Sequence, residues 1–443
     1  MRQADTGHQK AAPNDDASVG GVDDLRTRAD ALDAADPLAE YRKRFVMPDE
    51  PGLIYLDGNS LGRMPQATRE RLIAALDQEW AGELVRGWDR WITLAREAGD
   101  VLATGVLGVG AGEVLLCDTA SINLYKLAYA ACDARAGRTV IITDDDNFPS
   151  DQYVLQGVSA ARGMRLEVIR ADLDLGVSVS DVAAALAAAG PSDVALVSLQ
   201  HVAYRSGAVA DMVAITRLVQ EAGAVMLWDL CHSAGAVPTP LRESGAEMAV
   251  GCTYKHLNGG PGAPGFLYVR RDLHEQLRQP IWGWFGQADQ FAMGFDYNPV
   301  PSIERFLISS TPVLGGYAAW EGAKLTAEAG VDRIYAKAQQ LGEYAVDLFE
   351  AWLKPHGLRL ASPEPAAQRG AHLTLHHEAA WQICQAWKNA GVIPDFRTPD
   401  RLRIGFAPLY NTYAEVYEAF GRLRDIVASG SFEGQPVERT RIT

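Results

Sequence analysis

Lys255 stands in Gly251-Cys252-Thr253-Tyr254-Lys255-His256-Leu257-Asn258-Gly259-Gly260-Pro261-Gly262, among small, polar and glycine residues just after a run that reads as a buried strand. An ε-amine in that setting can form an imine with a carbonyl cofactor and, once released, act as a base beside a substrate carbon. A structural ion pair accounts for a lone lysine equally well, so the neighbours decide. Upstream, Asp229 follows the apolar run 225–228 in Leu227-Trp228-Asp229-Leu230-Cys231-His232-Ser233-Ala234-Gly235. Strand ends are where open α/β sheets bind ligands. A carboxylate there can keep a pyridine nitrogen protonated, which turns the ring into an electron sink. A turn or capping role is commoner for any single Asp, but an amine and an acid at one sheet edge suit the two ends of pyridoxal 5'-phosphate.

His232, three residues after Asp229, is placed to lie over such a ring or to bond its phosphate side, although a lone histidine is more often packed than catalytic. A phosphate needs a helix N-terminus with free amides. Thr119-Ala120-Ser121-Ile122-Asn123 opens an apolar helix with small hydroxyl residues, as a plain N-cap also would. Tyr254 can add a phenol to that phosphate. In Phe148-Pro149-Ser150-Asp151, Phe148 can stack on a ring and Asp151 can bond its hydroxyl side; a simple turn is the alternative. Gly283-Trp284-Phe285-Gly286 sets two large rings between glycines, which suits an aromatic ligand and suits a core hairpin almost as well. Arg403 can clamp a carboxylate bidentately, though most arginines are merely exposed. His372, His376, His377 and Glu378 do not read as a metal site, because adjacent histidines on a strand cannot easily face one ion.

Positioning these groups takes a sheet whose strand ends share an edge. Predicted strands at 139–143, 166–169, 194–199, 224–228, 248–252 and 266–269 alternate with helices at 121–134, 152–161, 179–189 and 211–222, which implies a mostly parallel α/β sheet covered on both faces. Helices are expected over 29–45, 66–80 and 91–107. Short strands at 358–360, 372–375, 392–396 and 402–406, with helices at 379–390 and 413–427, give a smaller α+β domain. The expected division is a loose tail over 1–35, an arm and large domain over 36–325, and a small domain over 326–443.

A formal charge of −15 without a basic stripe argues against a nucleic-acid partner. No run is long enough to span a bilayer, and the start lacks the apolar block of a secretory signal. The odd five cysteines, without metal-like spacing, suit reduced thiols in the cytoplasm.

Taken together, these strings resemble the kynureninases, hydrolases of pyridoxal-phosphate fold type I, from about Asp36 to the C-terminus, and the resemblance implies seven strands in the mostly parallel sheet of the large domain. The resemblance is carried by Tyr55-Leu56-Asp57-Gly58-Asn59-Ser60-Leu61-Gly62, Asn147-Phe148-Pro149-Ser150-Asp151, the segments around Asp229 and Lys255, Gly283-Trp284-Phe285-Gly286, and Pro408-Leu409-Tyr410. It implies cleavage of the Cβ–Cγ bond of L-kynurenine, or a ring-modified relative, to anthranilate and L-alanine. By the same match Lys255 bears the cofactor Schiff base, Asp229 meets the pyridine nitrogen, and His232 and Tyr254 hold the cofactor with Ala120, Ser121, Phe148, Asp151 and Ser310. Trp284 reaches the phosphate from the partner subunit of a homodimer with shared sites. Arg403 takes the substrate carboxylate, with Ser60, Trp88 and Phe285 around the amino-acid substrate; Trp88 matches the bacterial form, which favours kynurenine over its 3-hydroxy derivative. Three positions depart from the family pattern: Gln200 before His201, Ser310, and Gln287 after the Trp-Phe-Gly run. Another fold-type I enzyme, such as a cysteine desulfurase or an aminotransferase, is the nearest rival. A desulfurase needs a reactive cysteine on an exposed loop, which Cys384 in a helical stretch is not. A non-catalytic cofactor-binding regulator is the rival of another class, and no helix-turn-helix segment supports it.

Overall fold

Val225–Asp229 is apolar up to its last residue and buried throughout, and Val194–Gln200 is buried up to Gln200. Strands of that kind lie inside a sheet covered on both faces. In a computed structural model that describes residues 22–439, both belong to a seven-stranded sheet. Its order is Val114–Leu116, Phe266–Val269, Met248–Gly251, Val225–Asp229, Val194–Gln200, Val140–Asp144, Arg165–Ile169. Phe266–Val269 runs against its two neighbours; the other adjacent pairs are parallel. Val225 and Leu227 point into the core under the helix Ala120–Ala134, while Met226 and Trp228 point into the core under Val179–Ala189 and Met212–Glu221. The expected mostly parallel sheet is present. Six of its strands were readable as apolar runs; Val114–Leu116 is too short to announce itself.

Parallel strands deliver their C-terminal ends to one edge, so Asp144, Gln200, Asp229 and Gly251 finish side by side. The loops that follow carry Phe148, Tyr204, His232 and Lys255.

A second sheet is antiparallel, ordered Asp395–Arg397, Arg401–Gly405, His372–His376, Arg359–Leu360. Its core gathers Leu373, Leu375, Leu402, Ile404, Trp387 and Phe420. The single strand expected over 392–396 is corrected here. Pro394 has no N–H to give a ladder, so Val392–Ile393 pairs with Ile54–Tyr55 and Asp395–Arg397 pairs with Arg401–Gly405.

Residues 1–21 of the expected tail lie outside the described residues. The rest of that expectation is corrected: Val22–Ala34 is a helix, Ala29 is buried in the C-terminal core, and Asp33 accepts from the amides of Tyr413 and Ala414 at 2.8 and 2.9 Å. The helix expected over 29–45 is two pieces, this one and a 3-10 turn at Ala39–Arg44, with Pro37 between them.

Two glycines hold the lysine loop by backbone approach. A Cβ on Gly62 would sit 2.4 Å from the Lys255 carbonyl oxygen, and the Gly62 amide donates to the Tyr254 carbonyl at 2.8 Å. A Cβ on Gly322, in the helix Val313–Ala329, would sit 1.9 Å from the Leu257 carbonyl oxygen. Gly322→Ala should therefore force helix and loop apart and lower the unfolding free energy by about 1–3 kcal/mol in a denaturant titration. Gly421→Ala, which meets only one side-chain atom at 4.0 Å, is the control and should be neutral or stabilising.

Candidate active site

Lys255 is buried, and its Nζ lies 2.9 Å from Nε2 of His232. It also sits 5.6 Å from the Phe148 ring centre and 5.9 Å from that of Tyr254. Asp229, at the neighbouring strand end, accepts from the Cys231 amide at 2.7 Å. Asp151 is buried beside it. Burial first, then the Asp229 carboxylate, push Asp151 well above the ordinary carboxylate range, with Lys255 offsetting part of this. One of the two acids thus carries a proton against the other. Burial, reinforced by the positive charges of Lys255 and Arg403, drives His232 well below its ordinary value, so the ring is neutral. The phenol of Tyr254 is held protonated by the Cys252 sulfur and by burial.

The helix Ala120–Ala134 starts next to this group. Thr119 caps it by accepting from the Ile122 amide at 3.3 Å, and a Cβ on Gly265 would sit 2.9 Å from the Ala120 amide nitrogen. Ala120 and Ser121 are half-buried. The sheet edge therefore brings Lys255, Asp229, His232, Phe148, Asp151 and Tyr254 together.

Arg403 occupies a second, connected cluster. It is buried, with Nη2 bonded to Ser60 Oγ at 2.7 Å and to Asp395 at 2.5 Å, and Nη1 donating to the Tyr204 carbonyl at 2.7 Å. With the Asn59 amide turned to satisfy its neighbours, Nε donates to it at 3.1 Å. Arg397 lies alongside, 3.5 Å from Ser60 Oγ and 2.8 Å from Asp395. Burial, and next the Asp395 charge, push Asp57 up to about 6. Tyr204 joins the clusters, its ring meeting Phe148 edge-on at 5.3 Å. Gln200, one of the departures, bridges the Asp146 carbonyl and the Tyr204 amide at 2.9 Å each.

Trp88, Phe285 and Trp284 form a third group, with ring centres 6.4 and 5.5 Å apart. Trp284 is 47% exposed and donates its indole N–H to the Gln290 carbonyl at 2.5 Å. Ser310 is half-buried and forms no recorded hydrogen bond; its segment is held by Gly283, where a Cβ would meet the Ile308 carbonyl oxygen at 2.0 Å. Gln287 is tied to Asn298 and Asp296. Among the described residues no group of histidine, cysteine and carboxylate side chains is arranged to hold a metal ion.

Tyr204, Asn59, Asp395, Arg397, His256 and His372 were not identified as site residues from the sequence. A signal existed for two of them: Asp395-Phe396-Arg397 alternates charge with an aromatic, and Asp395 pairs directly with Arg403 in the strand register.

The Asp151 shift has a consequence for the cofactor-free protein. A carboxyl group with a raised folded value binds more protons in the native than in the unfolded state, so its effect on stability becomes less favourable as pH rises above about 4. Asp151→Asn should therefore be more stable than the parent at pH 8, and the gap should narrow as pH falls towards 4. Thermal melts across that range are the check; a gap independent of pH contradicts the assignment.

Residues 334–423 match the family model described as the kynureninase C-terminal domain. Over 413 residues the chain is 39% identical to a kynureninase of Pseudomonas fluorescens, spanning 91% of this chain and 96% of that one. Its fold is similar to a cysteine desulfurase of Thermococcus onnurineus NA1, with TM-score 0.74, 18% identity, and coverage of 88% of this chain and 98% of the other. It is similar too to a C-DES variant with glycine covalently linked to its PLP cofactor, with TM-score 0.73, 16% identity, and coverage of 87% and 99%. Structures at that identity establish a shared fold, and the long match to the Pseudomonas enzyme establishes more: the chain belongs to the kynureninase family.

Proposed function

We propose that the chain hydrolyses the Cβ–Cγ bond of L-kynurenine at Lys255, releasing anthranilate and L-alanine with pyridoxal 5'-phosphate as cofactor. The observation that carries this reading is a buried amine beside two buried carboxylates at the edge where parallel strands end. The site's own chemistry fits the cofactor: Asp151 Oδ2 and His232 Nδ1 are buried without a partner, and a protonated pyridine ring is what an excess of buried carboxylate favours. When bound, pyridoxal phosphate supplies a carbonyl for imine formation and a cationic ring that draws electrons from the substrate carbon.

The residues then divide the work. Asp229 would hold the proton on the ring nitrogen, and Asp151, protonated, would donate towards the ring's hydroxyl side. Phe148 covers a ring face. The free amides at Ala120 and Ser121 receive the phosphate with the help of the Tyr254 phenol. Lys255 would take the α-proton on Nζ, with His232 as its neighbour. Arg403 and Ser60 bind the substrate carboxylate, with Arg397 supplying a nearby positive charge. One water attacks the γ-carbonyl, and the protonated Tyr254 is placed to return a proton to the β-carbon.

The homodimer belongs to the same reading. Trp282, Trp284, Phe291, Met293 and Phe295 are exposed on one segment, more apolar surface than a free monomer commonly shows. Trp284 is exposed, and a role across the interface would need Gln290 to release its N–H. The proposed division is a large domain over 36–325 and a small one over 326–443, with Ile54 and Leu56 of the arm packing into the C-terminal core. Among the described residues no helix is long and apolar enough to cross a membrane; a cytoplasmic location is the setting proposed.

Lys255→Ala should abolish the Schiff-base absorbance of purified protein supplied with the cofactor, and retention of that band removes the assignment. Anthranilate and alanine should appear from kynurenine faster than their counterparts from 3-hydroxykynurenine; no release from any kynurenine contradicts the function. If sites are shared, mixing Lys255→Ala and Trp284→Ala subunits should restore about a quarter of native activity, since half of random dimers hold one intact site. No recovery places both residues in one subunit's site.

A further inference from the structure

We infer that Cys231 and Cys252 form a redox site: hydrogen peroxide joins them in a disulfide that ties the loop after Asp229 to the loop of Lys255 and slows the enzyme until a thiol reductant opens it. The effect on turnover rests on the function proposed above; the bond itself does not. Neither thiol takes part in that reaction, yet both stand where the sheet delivers its acid and its amine.

Their opposition follows from the strand register. Val225–Asp229 and Met248–Gly251 are parallel, with Asp229 level with Val250. The Leu230 amide continues the ladder by donating to the Val250 carbonyl at 2.8 Å. Two residues past the last pair, Cys231 comes level with Cys252. Neighbouring strands run about 4.8 Å apart, inside the roughly 4.4–6.8 Å between Cα atoms that a disulfide spans. Beyond the ladder the two residues stay in touch, because the Cys252 thiol donates to the Cys231 carbonyl at 3.7 Å. Both are free thiols, Cys252 buried and Cys231 half-buried, so a small oxidant reaches the pair past Cys231.

The surroundings favour reaction here over the other cysteines. Burial raises Cys252, but the Cys231 side chain, the Lys255 charge and the Tyr254 phenol outweigh it, and its thiol ends below the ordinary value. The Cys252 side chain, then burial, raise Cys231. Cys117, Cys132 and Cys384 are buried elsewhere, and burial lifts them to about 12, 11 and 12. Because the thiolate is the nucleophile, those three are inert by comparison. Cys252, as thiolate, attacks one peroxide oxygen; the O–O bond breaks, the sulfur becomes a sulfenic acid, and the other oxygen leaves as water with the proton the thiol gave up. Cys231 then attacks the sulfenic sulfur, the S–S bond forms and a second water leaves. Two thiols are oxidised and one peroxide is reduced. The bond acts on the site through two contacts. Asp229 is held by the Cys231 amide at 2.7 Å, which shifts when Cys231 is drawn towards Cys252. Tyr254 loses the free Cys252 sulfur that helps keep it protonated.

The test treats the cofactor-free full chain with hydrogen peroxide, maps its tryptic peptides without reduction, then loads pyridoxal phosphate and assays kynurenine cleavage. The peptide of Cys231 should be joined to that of Cys252 within one chain, and dithiothreitol should part them. Cys231→Ser and Cys252→Ser should each abolish the bond, and Cys384→Ser should keep it. Turnover of the oxidised parent should fall about tenfold and recover to within about twofold on reduction, while Cys231→Ser, measured against its own untreated rate, should change less than about twofold. Sulfinic acid on either cysteine in place of the bond, a bond between chains, or undiminished turnover with the bond in place would overturn the inference. Because the peptides are mapped before cofactor or substrate is added, a bond found in a protein that never cleaves kynurenine counts against the function and not against the pair.

Discussion

A lysine amine taken out of water and held at the end of a parallel sheet is the constraint that the rest of the structure serves. An ammonium group in that position is costly unless opposite charge and hydrogen bonds compensate it. Here the compensation comes from a neutral imidazole at 2.9 Å and from the Asp151–Asp229 pair, itself short of positive charge. Neither set is satisfied alone: Asp151 Oδ2 and His232 Nδ1 remain without partners inside the protein. Acid on one side and an amine on the other suit a ligand that bears both a carbonyl and a protonated ring nitrogen.

The surrounding architecture holds that amine still. Gly62 from the N-terminal arm and Gly322 from a long helix press their backbones onto the loop at Lys255–Leu257, and neither position has room for a Cβ. The arm also reaches the second sheet, where the Leu56 carbonyl accepts from the Gly405 amide at 2.7 Å. Residues 54–62 thus touch both the loop of Lys255 and the sheet of Arg403, which the Arg403–Tyr204 bond also ties to the large sheet. The same fold serves cysteine desulfurases, but fold likeness does not carry activity. Cys384, the cysteine a desulfurase reading would look to, is buried in the helix Ala380–Asn389, and burial raises its thiol to about 12.

Much of this was legible in the sequence. Asp229 and Lys255 follow apolar runs that could only be buried strands, so their place at one edge follows from parallel topology. Helices with a clear apolar face, such as Met212–Glu221, were equally plain. What stayed hidden depends on contacts between distant segments. The Arg403 cluster draws on Asn59, Tyr204 and Asp395, which no local pattern connects. His372 looked like part of a disfavoured metal group because only folding shows that it faces His232. Pro394 split a strand that hydrophobicity alone ran together, and Pro37 did the same to a helix. Trp284 was read from a motif, and in the fold its ring meets Phe285 and Phe291.

The most direct test of the central claim is borohydride reduction of the cofactor-loaded protein followed by peptide mapping of the phosphopyridoxyl group. The account predicts the label on Lys255 and on no other lysine. Label on Lys126 or Lys337, the other two buried lysines among the described residues, or no label on a protein that still cleaves kynurenine, would contradict it.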